Sequence, residues 1–344
     1  MLPRLLLLGS LMLAAPSTTP AAGSATGKWI LEWKPSKEKV QMTFMWKRPE
    51  GTSHWGGHGM AIEELQGLTA DQITGRATEV HFEIVRDAGT FVCDGRAGAG
   101  EGGGLFELQL APGFAAELKR RGVGVPTEAQ QIRLALADAG LNLLDELKAQ
   151  SYAMPKVDEL VRMADHGVSH DYVAGMGKLG YRTSTVAGLV QLRDHGVDPG
   201  YILGLKEAGF DDLSTAELLT ARDHGVDPEY VAEMRRLGHR DMSLQELVRV
   251  RDHGVDGHFI RGMAAYGHDD LPLAQLVRSR DHGVDPGYIK EMADAGYAGL
   301  DLEELIRARD HGVDGAFARR IKSRLGRKVS LDELIRIRDR GGLD

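Results

Sequence analysis

The chain contains one cysteine, Cys93, in 344 residues. A lone thiol forms no internal disulfide, and with no cysteine near the N-terminus a lipid-modified start is excluded. An excess of positive charge is also lacking: 42 Lys and Arg stand against 50 Asp and Glu, a net charge of −8. This argues against a general nucleic-acid binder, which needs a basic field to displace counterions from phosphates. No His-Glu-x-x-His, nucleophile–base spacing or phosphate loop occurs, so the expectation is a non-enzymatic protein with no cofactor and no metal.

Long apolar runs are scarce too. The one at the N-terminus, Leu5 to Ala15 behind Met1-Leu2-Pro3-Arg4, is broken by Gly9-Ser10 and then Pro16. It is too short to span a bilayer and reads as a bacterial secretory signal over residues 1–22, cleaved near Ala21 or Ala22. The expected mature chain carries no membrane span and is periplasmic or secreted.

What is present falls into two patterns. From Gly27 to Ala111 the alternation has period two. Trp29, Leu31 and Trp33 share a face, as do Val40, Met42, Phe44 and Trp46, then Val80, Phe82 and Ile84, then Phe106, Leu108 and Leu110. Half-polar strands of this kind suit an antiparallel sheet with one buried face. Turn signals at Pro35-Ser36, Pro49-Glu50-Gly51, Asp87-Ala88-Gly89 and the run Gly95 to Gly104 separate about six strands. Cys93, in Thr90-Phe91-Val92-Cys93, reads as a small apolar strand residue. Gly98-Ala99-Gly100-Glu101-Gly102-Gly103 matches a dinucleotide fingerprint formally, but the alternating Leu105 to Leu110 follows where a helix is required. The run is therefore expected to be a hairpin loop. His54 and His58 flank a glycine-rich stretch without a third ligand nearby.

Beyond Pro112 the spacing turns helical. Residues 112–155 read as irregular leading helices, and from 156 to 344 a unit of 29 residues repeats without insertion. Its signature is Arg-Asp-His-Gly-Val-Asp, at Arg193–Asp198, Arg222–Asp227, Arg251–Asp256, Arg280–Asp285 and Arg309–Asp314. A degenerate copy lies at Ala164–Ser169, and Arg340 takes the histidine slot of the last copy. Each unit predicts two short helices. The first opens on a capping box, Ser214 with Glu217, Ser243 with Glu246, Asp301 with Glu304 and Ser330 with Glu333, and ends at the motif glycine. The second is capped by the motif's last aspartate and carries stripes such as Tyr230-Val231-Met234. The fold class expected is α+β and multidomain: a small antiparallel β sandwich or roll followed by an α-solenoid of two-helix repeats.

Stacking would align Arg193, Arg222, Arg251, Arg280 and Arg309 in one row. Beside it would run Asp194, Asp223, Asp252, Asp281 and Asp310, and then His195, His224, His253, His282 and His311. The expectation is a structural ladder in which the aspartates pair with arginines of the adjoining unit, while Arg and His satisfy helix C-termini. A metal-binding histidine row is disfavoured, because helix spacing sets neighbouring backbones roughly 8–10 Å apart and the arginine row opposes a cation.

The repeat block, with Phe82-Glu83-Ile84-Val85-Arg86-Asp87-Ala88-Gly89-Thr90-Phe91 upstream, resembles a family of exported bacterial proteins. In that family both modules also look appended to membrane zinc metallopeptidases of the β-lactam sensor-transducer (antirepressor-regulating) type. This chain lacks the peptidase helix motif and the spanning helices, so peptidase activity does not carry over. The resemblance implies an exported scaffold or sensory part. The function expected is an interaction scaffold with a protein partner; the alternative is a module sensing cell-wall fragments or β-lactam-like ligands. Because helices this short are not stable alone in water, a peptide covering residues 243–271 is expected to be largely unfolded by circular dichroism. A fully helical, monomeric peptide would remove stacking as the source of stability.

Overall fold

The computed structural model describes residues 24–34, 39–47 and 53–341. The signal reading and the Pro35-Ser36 and Pro49-Glu50-Gly51 turns lie outside the described residues, as do the side chains of His54 and His58. The chain forms two compact units that part between Val190 and Gln191.

The first unit opens with six strands: β1 (Ser24–Lys34), β2 (Lys39–Lys47), β3 (Ser53–Met60), β4 (Thr78–Arg86), β5 (Gly89–Gly98) and β6 (Glu101–Leu110). They form a single antiparallel sheet in the order β3-β2-β1-β6-β5-β4. Two strands separate β2 from β5, which in a flat sheet would hold them roughly 14 Å apart. Yet the Phe44 and Phe91 rings meet at 4.9 Å, and Phe44 meets Phe106 at 5.4 Å. The sheet is therefore curled around its apolar face, where Trp29, Leu31, Met42, Phe82 and Leu108 are buried. Between β3 and β4, α1 (Ala70–Thr74) buries Ile73.

The glycine run is shorter as a loop than its composition suggests. Only Ala99 and Gly100, at φ 54° and 89°, make the β5–β6 turn, the two-residue form that suits twisted hairpins. Gly102, Gly103 and Gly104 belong to β6. A Cβ at Gly95 would come within 2.6 Å of the Trp29 indole, which lies over these strands and donates from Nε1 to the Asp94 and Leu105 carbonyls. The glycines make room for tryptophan, not phosphate. Cys93 is fully buried on this face, and burial pushes its thiol up to about 12.

The leading helices are α2 (Phe114–Arg120), α3 (Glu128–Leu136) and α4 (Leu141–Ala149). The β4–β5 turn holds α3 and α4. Arg86, its side chain 5% exposed, donates to the carbonyls of Ala135 and Leu136 at the end of α3. Asp87 accepts from the Leu141 amide, capping α4 where the N-cap Gly140 has no side chain to do so. Gln131, buried within α3, donates to the carbonyls of Ala88 and Ala111. These bonds explain why the first compact unit continues past residue 111. It runs on through α5 (Val157–Asp165) and α6 (His170–Lys178) into α7 (Val186–Asp194), which spans the division.

The second unit continues with α8 (Pro199–Glu207), α9 (Thr215–Asp223), α10 (Pro228–Arg236), α11 (Leu244–Asp252) and α12 (Gly257–Ala264). Then come α13 (Leu273–Asp281), α14 (Pro286–Asp294), α15 (Leu302–Asp310), α16 (Gly315–Leu325) and α17 (Leu331–Asp339). Nearly all are nine residues long, bounded by the predicted devices. Ser214, Ser243 and Asp301 each take part in a reciprocal box. Ser330 makes only its half, because Glu333 is drawn to Arg327 instead. The motif glycines, such as Gly225 and Gly254, end the first helices at φ near 70°. The motif valines Val197, Val226, Val255, Val284 and Val313 are all 0% exposed, at the centre of the packing.

Neighbouring second helices mesh in two alternating ways. Gly204 faces Pro228, and Gly262 faces Pro286; a Cβ on either glycine would come within 2.5 Å of the proline Cγ. At the intervening contacts Glu233 faces Gly257 and Glu291 faces Gly315, where a Cβ would lie 2.6 and 2.7 Å from the glutamate Cγ. The Glu233 carboxylate accepts from the Gly257 amide and from Arg261, and Glu291 accepts from the Ala316 amide. Each bulky residue thus sits opposite a glycine. Gly257→Pro is expected to destabilise by about 1–3 kcal/mol through overpacking, and adding Glu233→Gly should restore most of the loss. A double-mutant cycle in urea showing no coupling between these positions would refute the pairing.

Candidate functional site

The Arg-Asp-His residues come together between successive repeats, with a different pairing from the one expected. Each histidine, at the C-cap of its first helix, meets the aspartate of the next repeat. The Nδ1–Oδ1 distances are 2.5 Å for His195–Asp223, 2.6 Å for His224–Asp252 and 2.5 Å for His253–Asp281. For His282–Asp310 and His311–Asp339 they are 2.7 and 2.8 Å. Asp223, Asp252, Asp281 and Asp310 thus take histidines in place of the expected arginines of the adjoining unit, and those arginines are engaged with aromatic rings. Arg222 lies over the Tyr201 ring at 4.8 Å, Arg251 over Tyr230 at 4.7 Å, Arg280 over Phe259 at 4.7 Å and Arg309 over Tyr288 at 4.8 Å. Arg338 continues the row over Phe317 at 5.0 Å. Arg193 lies 3.7 Å from Asp198, and Asp194 closes α7.

Each arginine also lies against the preceding motif glycine: a Cβ at Gly196 would be 3.1 Å from Arg222 Nε, and Arg280 Nε donates to the Gly254 carbonyl at 3.0 Å. The aromatic residue completes the clasp. Tyr201, Tyr230 and Tyr288 donate their hydroxyls to the carbonyls of Val226, Val255 and Val313 in the next repeat, at 2.8, 3.0 and 2.9 Å. The constant motif letters are thus taken up in holding one repeat to the next. Sequence reasoning missed the arginine–aromatic stack and the tyrosine bond. The 29-residue coincidence of Arg and Tyr was the available signal, but their facing across the repeat boundary was not.

Histidine Nδ1 atoms bound to aspartates are poorly disposed to gather around an ion. Among the described residues no group of three or more His, Cys, Asp or Glu converges as a metal site would. On the outer face of the sheet, His81 bonds to Asp94 at 2.8 Å, and that hydrogen bond raises the His81 pKa. In the first unit an open groove of about 510 Å³ between α4 and α6 is lined by Glu146, Gln150, His170, Lys178 and Arg182. On its wall Gly177 leaves room for the Gln150 amide, which donates to the Val173 carbonyl. No described helix is long and apolar enough to cross a membrane.

No protein-family model matches the chain, and no curated protein matches it.

The buried Tyr230 hydroxyl provides a pH test of the clasp. Burial pushes its pKa up to about 12, against about 10 in an unfolded chain. The folded state therefore prefers the protonated form. Its contribution is complete below about pH 10 and is lost as pH rises through about 12. Tyr230→Phe is expected to lower unfolding free energy by about 1 kcal/mol at neutral pH and to flatten the alkaline decline. An unchanged urea midpoint would show that the bond contributes nothing.

Proposed function

We propose that this protein is a non-catalytic, exported interaction scaffold that presents its helical repeats to a protein partner. One observation carries the reading. The Arg, Asp, His and Tyr residues constant between repeats, half-exposed as several of them are, are engaged in the clasps, while exposed positions along the second helices differ from one repeat to the next. Just inside the second helices the exposed residue is Gly200, Glu229, His258 and Gly287 in turn; one turn on it is Leu203, Ala232, Arg261, Lys290 and Arg319. A periodic ligand would call for the same side chain at each step. A face whose chemistry drifts from apolar to cationic suits one partner docking in one register, and repeat arrays offer such surfaces. The N-terminal signal pattern supports export, and the resemblance to exported bacterial modules is consistent with it.

Immobilised full-length protein, incubated with envelope extract, is expected to retain a defined partner. Glu229→Arg with His258→Glu should lose that partner while the melting temperature stays unchanged. Retention of the same partner by the double variant, or by neither protein, would overturn the reading.

The groove between α4 and α6 supports the sensory alternative, since its carboxylate, imidazole and cations suit a zwitterionic fragment. Muropeptides should then raise the melting temperature of the wild type and not of His170→Ala.

A further inference from the structure

We infer that α16 and the turn behind it form a docking face for an anionic lipid surface. From Gly315 to Lys328 the chain holds six cations, Arg319, Arg320, Lys322, Arg324, Arg327 and Lys328, and no carboxylate, within a protein of net charge −8. Phe317, Ala318 and Ile321 are buried, whereas Arg319, Arg320, Lys322, Ser323 and Arg324 are all exposed. At 3.6 residues per turn the solvent arc of this helix is cationic from edge to edge. The equivalent α10 and α14 are mixed: α10 carries Glu229 and Glu233 with Arg235 and Arg236, and α14 carries Lys290 with Glu291 and Asp294, while α12 carries the single Arg261.

The charge is only partly neutralised. Arg327 is bound by Glu333 at 2.7 Å, and Arg319 lies 3.6 Å from Glu291. Arg320, Lys322 and Lys328 form no ion pair among the described residues. Lys328 lies over Tyr297 at 4.9 Å, a contact that leaves its charge in place.

The helix also departs from the repeat. The slot held by left-handed Gly209, Gly238, Gly267 and Gly296 elsewhere holds Leu325 here, and the left-handed glycine comes one residue later, at Gly326. α16 therefore runs to 11 residues and ends on Leu325, a large apolar side chain 39% exposed beside the cations. That combination selects the partner. A soluble polyanion offers phosphates to the cations but nothing to leucine, whereas a bilayer offers headgroup phosphates and an apolar boundary beneath them. The buried stripe keeps α16 within the array, so docking is peripheral.

The test is co-sedimentation of the full chain with vesicles of phosphatidylglycerol in phosphatidylcholine, against phosphatidylcholine alone. Binding is expected only to the anionic vesicles, and to weaken as salt is raised. Arg320→Glu with Lys322→Glu should cut the partition coefficient by roughly tenfold or more with an unchanged melting temperature. Leu325→Ser should reduce it severalfold without changing the salt dependence. Equal binding to both vesicles, no binding to either, or indifference to the charge reversal would overturn the inference. So would polyphosphate bound as tightly as the vesicles, with Leu325→Ser without effect, since the occupant would then be a soluble polyanion.

Discussion

Everything in the second unit depends on the packing of one helix pair against the next. A nine-residue helix is too short to persist alone. Its stability is therefore borrowed across repeat boundaries, chiefly by burial. Each repeat hides a valine, an aromatic ring and a methionine or similar residue, such as Val226, Tyr230 and Met234, and each such side chain contributes about 1.5–3 kcal/mol. The polar contacts are weaker. A half-exposed His–Asp contact is worth roughly 0–1 kcal/mol, an arginine over a ring about 0.5–1 kcal/mol at an exposed site, and the tyrosine bond about 1 kcal/mol. Apolar burial decides that the repeats stack. The polar clasps, being directional, decide in which register.

Register is further protected by alternation. A glycine opposite a proline and a glutamate opposite a glycine are each complementary, while the crossed combinations collide. Gly204 with Pro228 and Glu233 with Gly257 are therefore not interchangeable neighbours. Repeats of near-identical sequence risk pairing one step out of place, and this alternation penalises a slip by one repeat. It also makes the physical period two repeats, although the motif period is one.

The first unit solves a different problem. Its curled sheet has to meet helices whose ends need partners, and the β4–β5 turn supplies them: a cation at the carbonyl end of α3 and a carboxylate at the amide end of α4. Both signs agree with the helix dipole. Arg86 is deeply enclosed, and its burial lowers its pKa. Two carbonyl acceptors and the Asp138 carboxylate at 3.6 Å compensate part of that burial.

Much of this was legible in the linear chain. The strands follow the alternation of Val80, Phe82 and Ile84, and the helix ends follow Ser214, Asp227 and Gly225, because strand faces and caps depend on residues only a few positions apart. The division into six helix pairs followed by α17 is likewise written in the 29-residue period. The tertiary structure alone decided which partner each polar group takes. Asp223 lies one residue from Arg222 in sequence, yet it meets His195, while Arg222 covers Tyr201. Arg86 likewise found carbonyls about 50 residues away. Periodicity specifies which face a side chain occupies. The partner across that face depends on the rotation and offset of the neighbouring element, which emerge only when the apolar surfaces close.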